Sequence, residues 1–489
     1  MTLERLANKF SETNRFANYG NCLVQMHVRG FRCHRDTLIE FNSPVTAFCG
    51  RNGTGKSTLL QLAAAAYSSP VPADRPFYIR DFLVVGKLDP TPFADDATVE
   101  LHYWDGVISS AERGPRYVPR KTTLSRNSRT KRWSGYGRRP GRSVLFIGVG
   151  LYLPSSERRD FIFRNANRLE LVLTEDADEK AREWTSRVLG YQYESMSRNT
   201  VSVHEREGTL LSVQRAGRNY SEAHMGYGEG RTQYLIAALE SAPERSLILI
   251  EEPETSLHPS AQHELAEYLI DVALRRGHQI IMSTHSEYLL IALPSASRIH
   301  LHPKDDSILP IPGLTAQQAR SLMTEGHHPA LTVLVEDECA QVVLYEILRR
   351  FDPEFRRTVR VVWAGDANTI GKTVRVVREA RAAPLVAVRD GDQGEALAEG
   401  LLKLPGERPP EVELAESPEV QAALIEKYEV DLAEVRAGEQ DHHKWFKEAA
   451  RRAAVSEMTI LTEAAEVYAT TVDAVEGQRL VDLLKESIA

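Results

Sequence analysis

Eight consecutive residues, Gly50-Arg51-Asn52-Gly53-Thr54-Gly55-Lys56-Ser57, carry the clearest chemistry in this 489-residue chain. Glycines at this spacing let backbone N–H groups wrap an oxyanion. The lysine behind them sets an ammonium over it, and the hydroxyl offers an oxygen to a divalent cation. Val45 to Cys49 read as a buried strand before the loop. Thr58 to Tyr67, rich in Leu and Ala, read as a helix after it, and a helix start adds positive potential. The ligand that fits is a nucleotide phosphate. Asn52, Gly53, Thr54, Gly55, Lys56, Ser57 and Thr58 are expected around ATP, with Ser57 on Mg²⁺.

Carboxylates come next. In "SLILIEEPETSLHP" (246–259) an apolar run ends in Glu251 and Glu252. The first is expected on the water shell of the nucleotide's metal, the second beside the attacking water as base. "QIIMSTHSEYLL" (279–290) is another apolar strand, ending in Ser283, Thr284 and His285. One nucleotide site needs one acid-tipped strand, yet "LTVLVEDECAQ" (331–341) supplies another, with Glu336, Asp337 and Glu338 at its tip. "APLVAVRDGDQG" (383–394) ends likewise in Asp390 and Asp392. Clustered carboxylates repel one another unless a hard cation sits between them. Glu336, Asp390 and Asp392 are therefore candidate ligands of Mg²⁺ or Mn²⁺, which would polarise a scissile phosphate.

In chain order, the glycine loop, a glycine-rich helix entry in "HMGYGEGRTQYLIAAL" (224–239), the Glu251–Glu252 strand, Glu254 to His258, and His285 resemble the head domains of ABC-type ATPases. "EEPETSLHP" is similar to ATPases of the overcoming-lysogenization-defect (OLD) type. The resemblance implies that Gly228 and Glu229 meet the nucleotide of an opposite subunit and that His285 is a switch histidine. At least a homodimer follows. Two departures imply slow turnover, or ATP used as a switch. Gly226 and Tyr227 stand where a serine is usual, and 77–89, where a strand with a glutamine is expected, has no glutamine.

Glu336 followed by the Asp390/Asp392 pair resembles a Toprim domain, a Rossmann-like fold. The resemblance adds Lys444, in "DHHKWFKEAA", as a late lysine that stabilises phosphate charge. Glu411 and Glu413 are offered as further ligands. His442 and His443 lack the spacing of a zinc pair, and no zinc is assigned. The second acid usual four residues after the glutamate is Ala340 here, and the usual glycine after it is Asp337. The family implies an ATP-regulated, Mg²⁺-dependent nuclease acting on nucleic acid in bacterial defence against phage. The alternative is a sensor or scaffold ATPase whose degenerate Toprim fold binds or restrains a separate effector or a phage-derived protein.

The elements that must position these groups follow from pattern and length. A chain this long exceeds one ordinary core. The expected architecture is α/β: a P-loop ABC-type head over 1–302, a linker over 303–329, and a Toprim-like domain with helical tail over 330–489. Between loop and signature, a basic insertion is expected at about 105–145. Its stretch 111–142 holds about 11 Lys and Arg against one acid, interleaved with Tyr117, Trp133 and Tyr136. Such a loop cannot form its own core, and would track a phosphate backbone and stack on bases. It would otherwise grip a protein partner or simply lie in solvent. Farther on, "DADEKAREWTSRVLG" reads as a helix and "TVSVHEREGTLLSVQR" as a hairpin. Net charge is −8, with residues 1–150 near +10 and the remainder near −18. A positive front suits a protein that meets a polyanion. Four scattered cysteines and the lack of an apolar leader or spanning segment point to a cytoplasmic protein without membrane attachment.

Overall fold

Six strands build the sheet that carries the glycine loop, in the order Ser307–Pro312, Arg298–Lys304, Val45–Cys49, Gln279–Ser283, Leu247–Glu251, Val144–Ile147. All pair in parallel except Ser307–Pro312, which returns antiparallel. Parallel pairing sends the C-terminal ends of three neighbours to one edge. The glycine loop after Cys49, the acids after Ile250 and the histidine after Thr284 therefore share that edge. The strand interiors are buried and rich in β-branched and aliphatic residues, as a sheet covered on both faces requires. The helices Lys56–Ala64 and Pro259–Arg276 bury Leu59, Leu60, Leu62, Leu265, Leu269 and Ile270.

The structure is a computed structural model. It describes all residues except 1, 72–74, 111–113, 152–160, 205, 325–327, 381–382 and 489. The chain divides into two units, Met1–Ala319 and Arg320–Ala489. Residues 303–312, expected in a linker, instead complete the first unit's sheet as an edge hairpin, followed by the helix Ala316–Met323. Pro303, Pro310 and Pro312 made this stretch read as loop. An outer hairpin accepts them, because an edge strand can lack ladder N–H groups.

The basic stretch is likewise not an inserted loop. A five-stranded antiparallel sheet runs His34–Glu40, Cys22–Phe31, Phe93–Ser110, Gly114–Arg126, Trp133–Ser134. Trp133 stacks on Phe31 (centroids 5.7 Å, planes 19° apart) and meets Phe93 edge-on. The Tyr136 hydroxyl accepts from Ile79 N at 3.2 Å. Arg139 and Arg142 are buried and donate to carbonyls of Ala65, Phe77, Arg245 and Ser246. These four side chains hold the head together and are not free to stack on bases. Arg129, Arg132 and Arg138 remain exposed; residues 111–113 and the Tyr117 side chain lie outside the described residues.

A four-stranded antiparallel sheet contains the expected hairpin, Ser195–Val203 with Arg206–Arg215. The expected helix is Glu179–Leu189, capped by Asp178 and closed at Gly190. The strand expected in 77–89 is absent; the short helix Ile79–Phe82 begins that segment.

The second unit has a four-stranded, all-parallel sheet in the order Val359–Trp363, Leu331–Val335, Leu385–Arg389, Leu401–Lys403. The first three occur where the sequence predicts strands. The helix Glu338–Phe351 covers the sheet, and the helices Trp445–Ala453, Glu457–Thr471 and Ala474–Glu486 share one core with it. Among the described residues no helix is long and apolar enough to cross a membrane.

Candidate functional site

Two sites emerge, one in each unit. The glycine loop leaves the buried strand Val45–Cys49 through Gly50 (φ 143°) and reaches the helix Lys56–Ala64 through Gly53 (φ 83°) and Gly55 (φ 78°). A Cβ at Gly50 would sit 2.8 Å from Leu301 O, and one at Gly55 would collide with the His34 ring. Both glycines are therefore needed for space as well as for conformation. His34 is buried and its Nε2 lies 3.1 Å from Gly55 O, fixing the loop from beneath. Lys56 Nζ donates to Gly50 O and Arg51 O at 2.9 Å each. Burial lowers its pKa, an effect opposed by Glu252. A cavity of about 450 Å³ opens here, lined by Asn52, Gly53, Gly55, Lys56, Ser57, Thr58, Glu252 and His285. Arg32 and Cys33 also line it, from the turn between two strands of the antiparallel sheet; the sequence reading did not find them.

Glu251 ends its strand, and Glu252 follows with a positive φ of 44°. Its N–H donates to Ser283 O at 3.1 Å. Such a backbone conformation costs a non-glycine residue energy and marks a constrained turn. His285 Nε2 stands 3.9 Å from Glu252 Oε1. Burial and the neighbouring Lys56 lower the His285 pKa, so the ring is neutral at pH 7. Two braces hold this turn. Buried Glu254 accepts from Thr284 Oγ1 (2.8 Å) and from His285 N (2.7 Å), and burial raises its pKa. Arg231, also buried, donates to Glu251 O (2.9 Å) and Glu252 O (3.0 Å). Neither brace was assigned from sequence, where a buried arginine on a helix looks like an exposed one.

Gly228 and Glu229 do not line this cavity. Gly228 sits in the first turn of the helix Tyr227–Ser241, tight against Ser256 O. Glu229 accepts from the hydroxyls of Tyr193 and Tyr220, both at 2.7 Å. Within one chain Glu229 is occupied by the two tyrosines.

In the second unit Glu336 and Asp390 follow directly on adjacent parallel strands. Glu336 Oε1 accepts from Asp390 N at 3.3 Å. Asp390 is only 7% exposed, and its Oδ1 is buried with no partner. Burial, and then the charge of Glu336, push its pKa up to about 8. Glu336 is raised too, by burial and by Asp392 and Asp337. Asp392 itself is exposed. Glu411 joins the cluster from the helix Pro410–Glu416. It is 4% exposed, its Oε2 also lacks a partner, and burial with Asp337 raises its pKa. Glu413 does not join: it accepts from the N–H groups of Glu407 and Arg408 and pins that turn. Asp337 caps the helix Glu338–Phe351 by accepting from Ala340 N at 2.8 Å. Lys444 is 61% exposed and pairs with Asp441 at 3.0 Å; among the described residues it touches neither Glu336 nor Asp390. Carboxylates driven toward the neutral form, with buried oxygens facing no donor, are what a divalent cation would relieve. Glu336 and Asp390 thus fit Mg²⁺ or Mn²⁺ as a pair, while Glu411 brings its ligand atoms to His442 and His443 instead.

Comparison with known proteins agrees with the head. A model described as "AAA domain, putative AbiEii toxin, Type IV TA system" matches residues 99–292, and one described as "AAA domain" matches 25–83. The chain is 25% identical over 154 residues to the DNA double-strand break repair Rad50 ATPase of Archaeoglobus fulgidus, covering 30% of this chain and 17% of that protein. It is 42% identical over 62 residues to the Old nuclease of Escherichia phage P2, covering 13% and 10%. The chain thus spans less than a fifth of the length of either relative. Among solved structures, the SMC head domain from Thermotoga maritima matches at 16% identity and TM-score 0.34, covering 59% of this chain and 98% of that one. A Smc head domain with extended coiled coil, bound to a ScpA domain derived from Pyrococcus furiosus, matches at 14% and 0.37, covering 62% and 98%. The loop, acids and histidine at one sheet edge, with the AAA-domain and Rad50 matches, define a P-loop ATPase head of the ABC type. More narrowly, a short stretch of it is similar to the Old nuclease, an OLD-type ATPase.

Proposed function

We propose that this protein hydrolyses ATP in its first unit and, under that control, cleaves nucleic acid with a divalent cation held by its second. The observation that carries the nuclease reading is the buried, unpartnered Asp390 Oδ1 on the strand next to Glu336, whose Oε1 accepts from Asp390 N. Bound there, Mg²⁺ or Mn²⁺ would supply Lewis acidity toward a phosphodiester and lower the pKa of water. Glu336 and Asp390 would hold it, Asp390 giving up its proton on binding. Asp392, exposed beside them, would join as ligand or orient water. Lys444, released from Asp441, would meet phosphate charge.

At the head, Lys56 and the loop N–H groups orient the β- and γ-phosphates, and Ser57 with Glu251 would hold Mg²⁺. Glu252 takes the proton of the attacking water, and neutral His285 sets its direction. Gly228 and Glu229 would complete the site of a partner copy, so the working unit is at least a homodimer. We place it in the cytoplasm, in bacterial defence against phage. The basic surface that remains exposed, Arg129, Arg132 and Arg138, would guide nucleic acid. Asp390→Ala in the full chain, incubated with plasmid, single-stranded DNA and RNA in Mg²⁺ or Mn²⁺, is the test: cleavage should vanish while ATP hydrolysis continues, and surviving cleavage refutes the assignment.

A second reading is supported by buried Ala340, in the place of a second metal-ligand acid. It makes the unit a non-cleaving fold that binds or restrains a separate effector. Wild-type chain that binds nucleic acid but never cuts it favours this reading.

A further inference from the structure

Adjacent histidines lack zinc-motif spacing, so His442 and His443 carry no partner in the sequence reading. The structure brings them to Glu411. One ligand atom from each of the three residues lies within 4.8 Å of the others. The two rings are 4.0 Å apart, held in the short turn His442–Lys444 that Asp441 caps by accepting from His443 N. His443 Nδ1 lies 3.0 Å from Glu411 Oε1 and 3.9 Å from Asp337 Oδ2. Glu411 reaches this place from inside the core, 4% exposed, with Oε2 still unpartnered. His442 stays in reach of solvent. A buried carboxylate met by two imidazoles, with a further carboxylate at the rim, is a donor set of mixed nitrogen and oxygen.

We propose that Glu411, His442 and His443, with Asp337 at the rim, form a cation seat of their own that takes a first-row transition ion in preference to Mg²⁺. Imidazole nitrogen is a poor ligand for Mg²⁺, which keeps to oxygen, and a good one for Mn²⁺, Co²⁺ or Zn²⁺. A carboxylate with two histidines leaves coordination positions open to solvent or to a phosphate oxygen. The Glu336–Asp390 pair offers oxygen alone, so the two seats differ in the ion they select. The inference stands on the histidine geometry and shares no ligand with the Glu336–Asp390 pair.

The test uses the metal-stripped full chain titrated with Co²⁺ in excess Mg²⁺, followed by visible absorption and by bound metal per chain. Wild type should hold one Co²⁺ with a nitrogen-ligated spectrum. His442→Ala/His443→Ala should weaken it by more than the ~100-fold that loss of a supporting outer residue costs. Glu411→Gln, which retains a hydrogen-bond acceptor for His443 and so the local fold, should lose it as well. Asp390→Asn should keep it. Unchanged Co²⁺ uptake in the histidine variant overturns the proposal, as does Co²⁺ displaced completely by Mg²⁺. Loss in Asp390→Asn with retention in the histidine variant overturns it too. Co²⁺ held at the histidines in a chain whose melting ignores Mg²⁺ supports this seat and counts against the nuclease reading.

Discussion

Asp390→Asn should make the cation-free protein more stable, not less. Burial and Glu336 raise the Asp390 pKa from 3.8 to about 8. The folded state therefore binds a proton that the unfolded state releases above the ordinary carboxylate range. Stability is unaffected below the unfolded value, falls as pH rises between the two values, and is fully reduced above about 8. A displacement of about four units at ~1.4 kcal/mol each sets a ceiling near 6 kcal/mol. Solvent at the cluster's open side screens part of this, and a buried amide that lacks a partner costs about 1–3 kcal/mol. A net gain of about 2 kcal/mol at pH 8 is expected, or roughly 4–8 °C in the melting of a unit of this size. At pH 5 the gain should nearly disappear. The assay is differential scanning calorimetry of wild type and variant in chelator at pH 5, 6.5 and 8, repeated with Mg²⁺. Mg²⁺ should raise wild-type melting at pH 8 and leave the variant where it was. A variant that melts at or below wild type at pH 8 without cation refutes the account of a strained carboxylate cluster.

Other outcomes test the head. Glu252→Gln should bind ATP yet release no phosphate, measured by nucleotide retention and phosphate assay; undiminished hydrolysis removes Glu252 as the base. Arg231→Ala frees two backbone carbonyls of the acid turn, and a buried acceptor left unsatisfied costs about 1–3 kcal/mol; it should lower hydrolysis more than ATP affinity. Trp133→Ala should destabilise the head by roughly 3 kcal/mol, read from denaturant midpoints, without altering nucleic-acid affinity. Arg129→Ala/Arg132→Ala should leave stability intact and make the salt dependence of nucleic-acid binding shallower by up to about two phosphate contacts.

The head's loop, acids and histidine were legible because each lies at a strand end with a local motif, and parallel pairing then fixes their meeting. The cluster of Glu336 with Asp390 was legible for the same reason. What was not legible depended on neighbours remote in sequence. Trp133 and Tyr136 looked like exposed aromatics because their partners, Phe31 and Ile79, lie more than fifty residues away. Pro303, Pro310 and Pro312 disguised an edge hairpin as a linker. Glu411 and Glu413 are alike in sequence, and only the turn of their helix decides that one enters the acid cluster while the other pins a loop. Lys444 was chosen by family position, and in the chain it faces Asp441.

Arg231 stands on the same helix as Gly228, four residues below the Tyr227 that begins it, and grips the backbone of both acids. In the homodimer proposed above, that helix start would be the surface a second copy reads. A single guanidinium would then couple the acid turn to the face presented to the neighbour. In such a paired head the two pockets would keep time with each other: a shift of register on one side would pull on the other, and the two nucleotides would be hydrolysed together rather than independently.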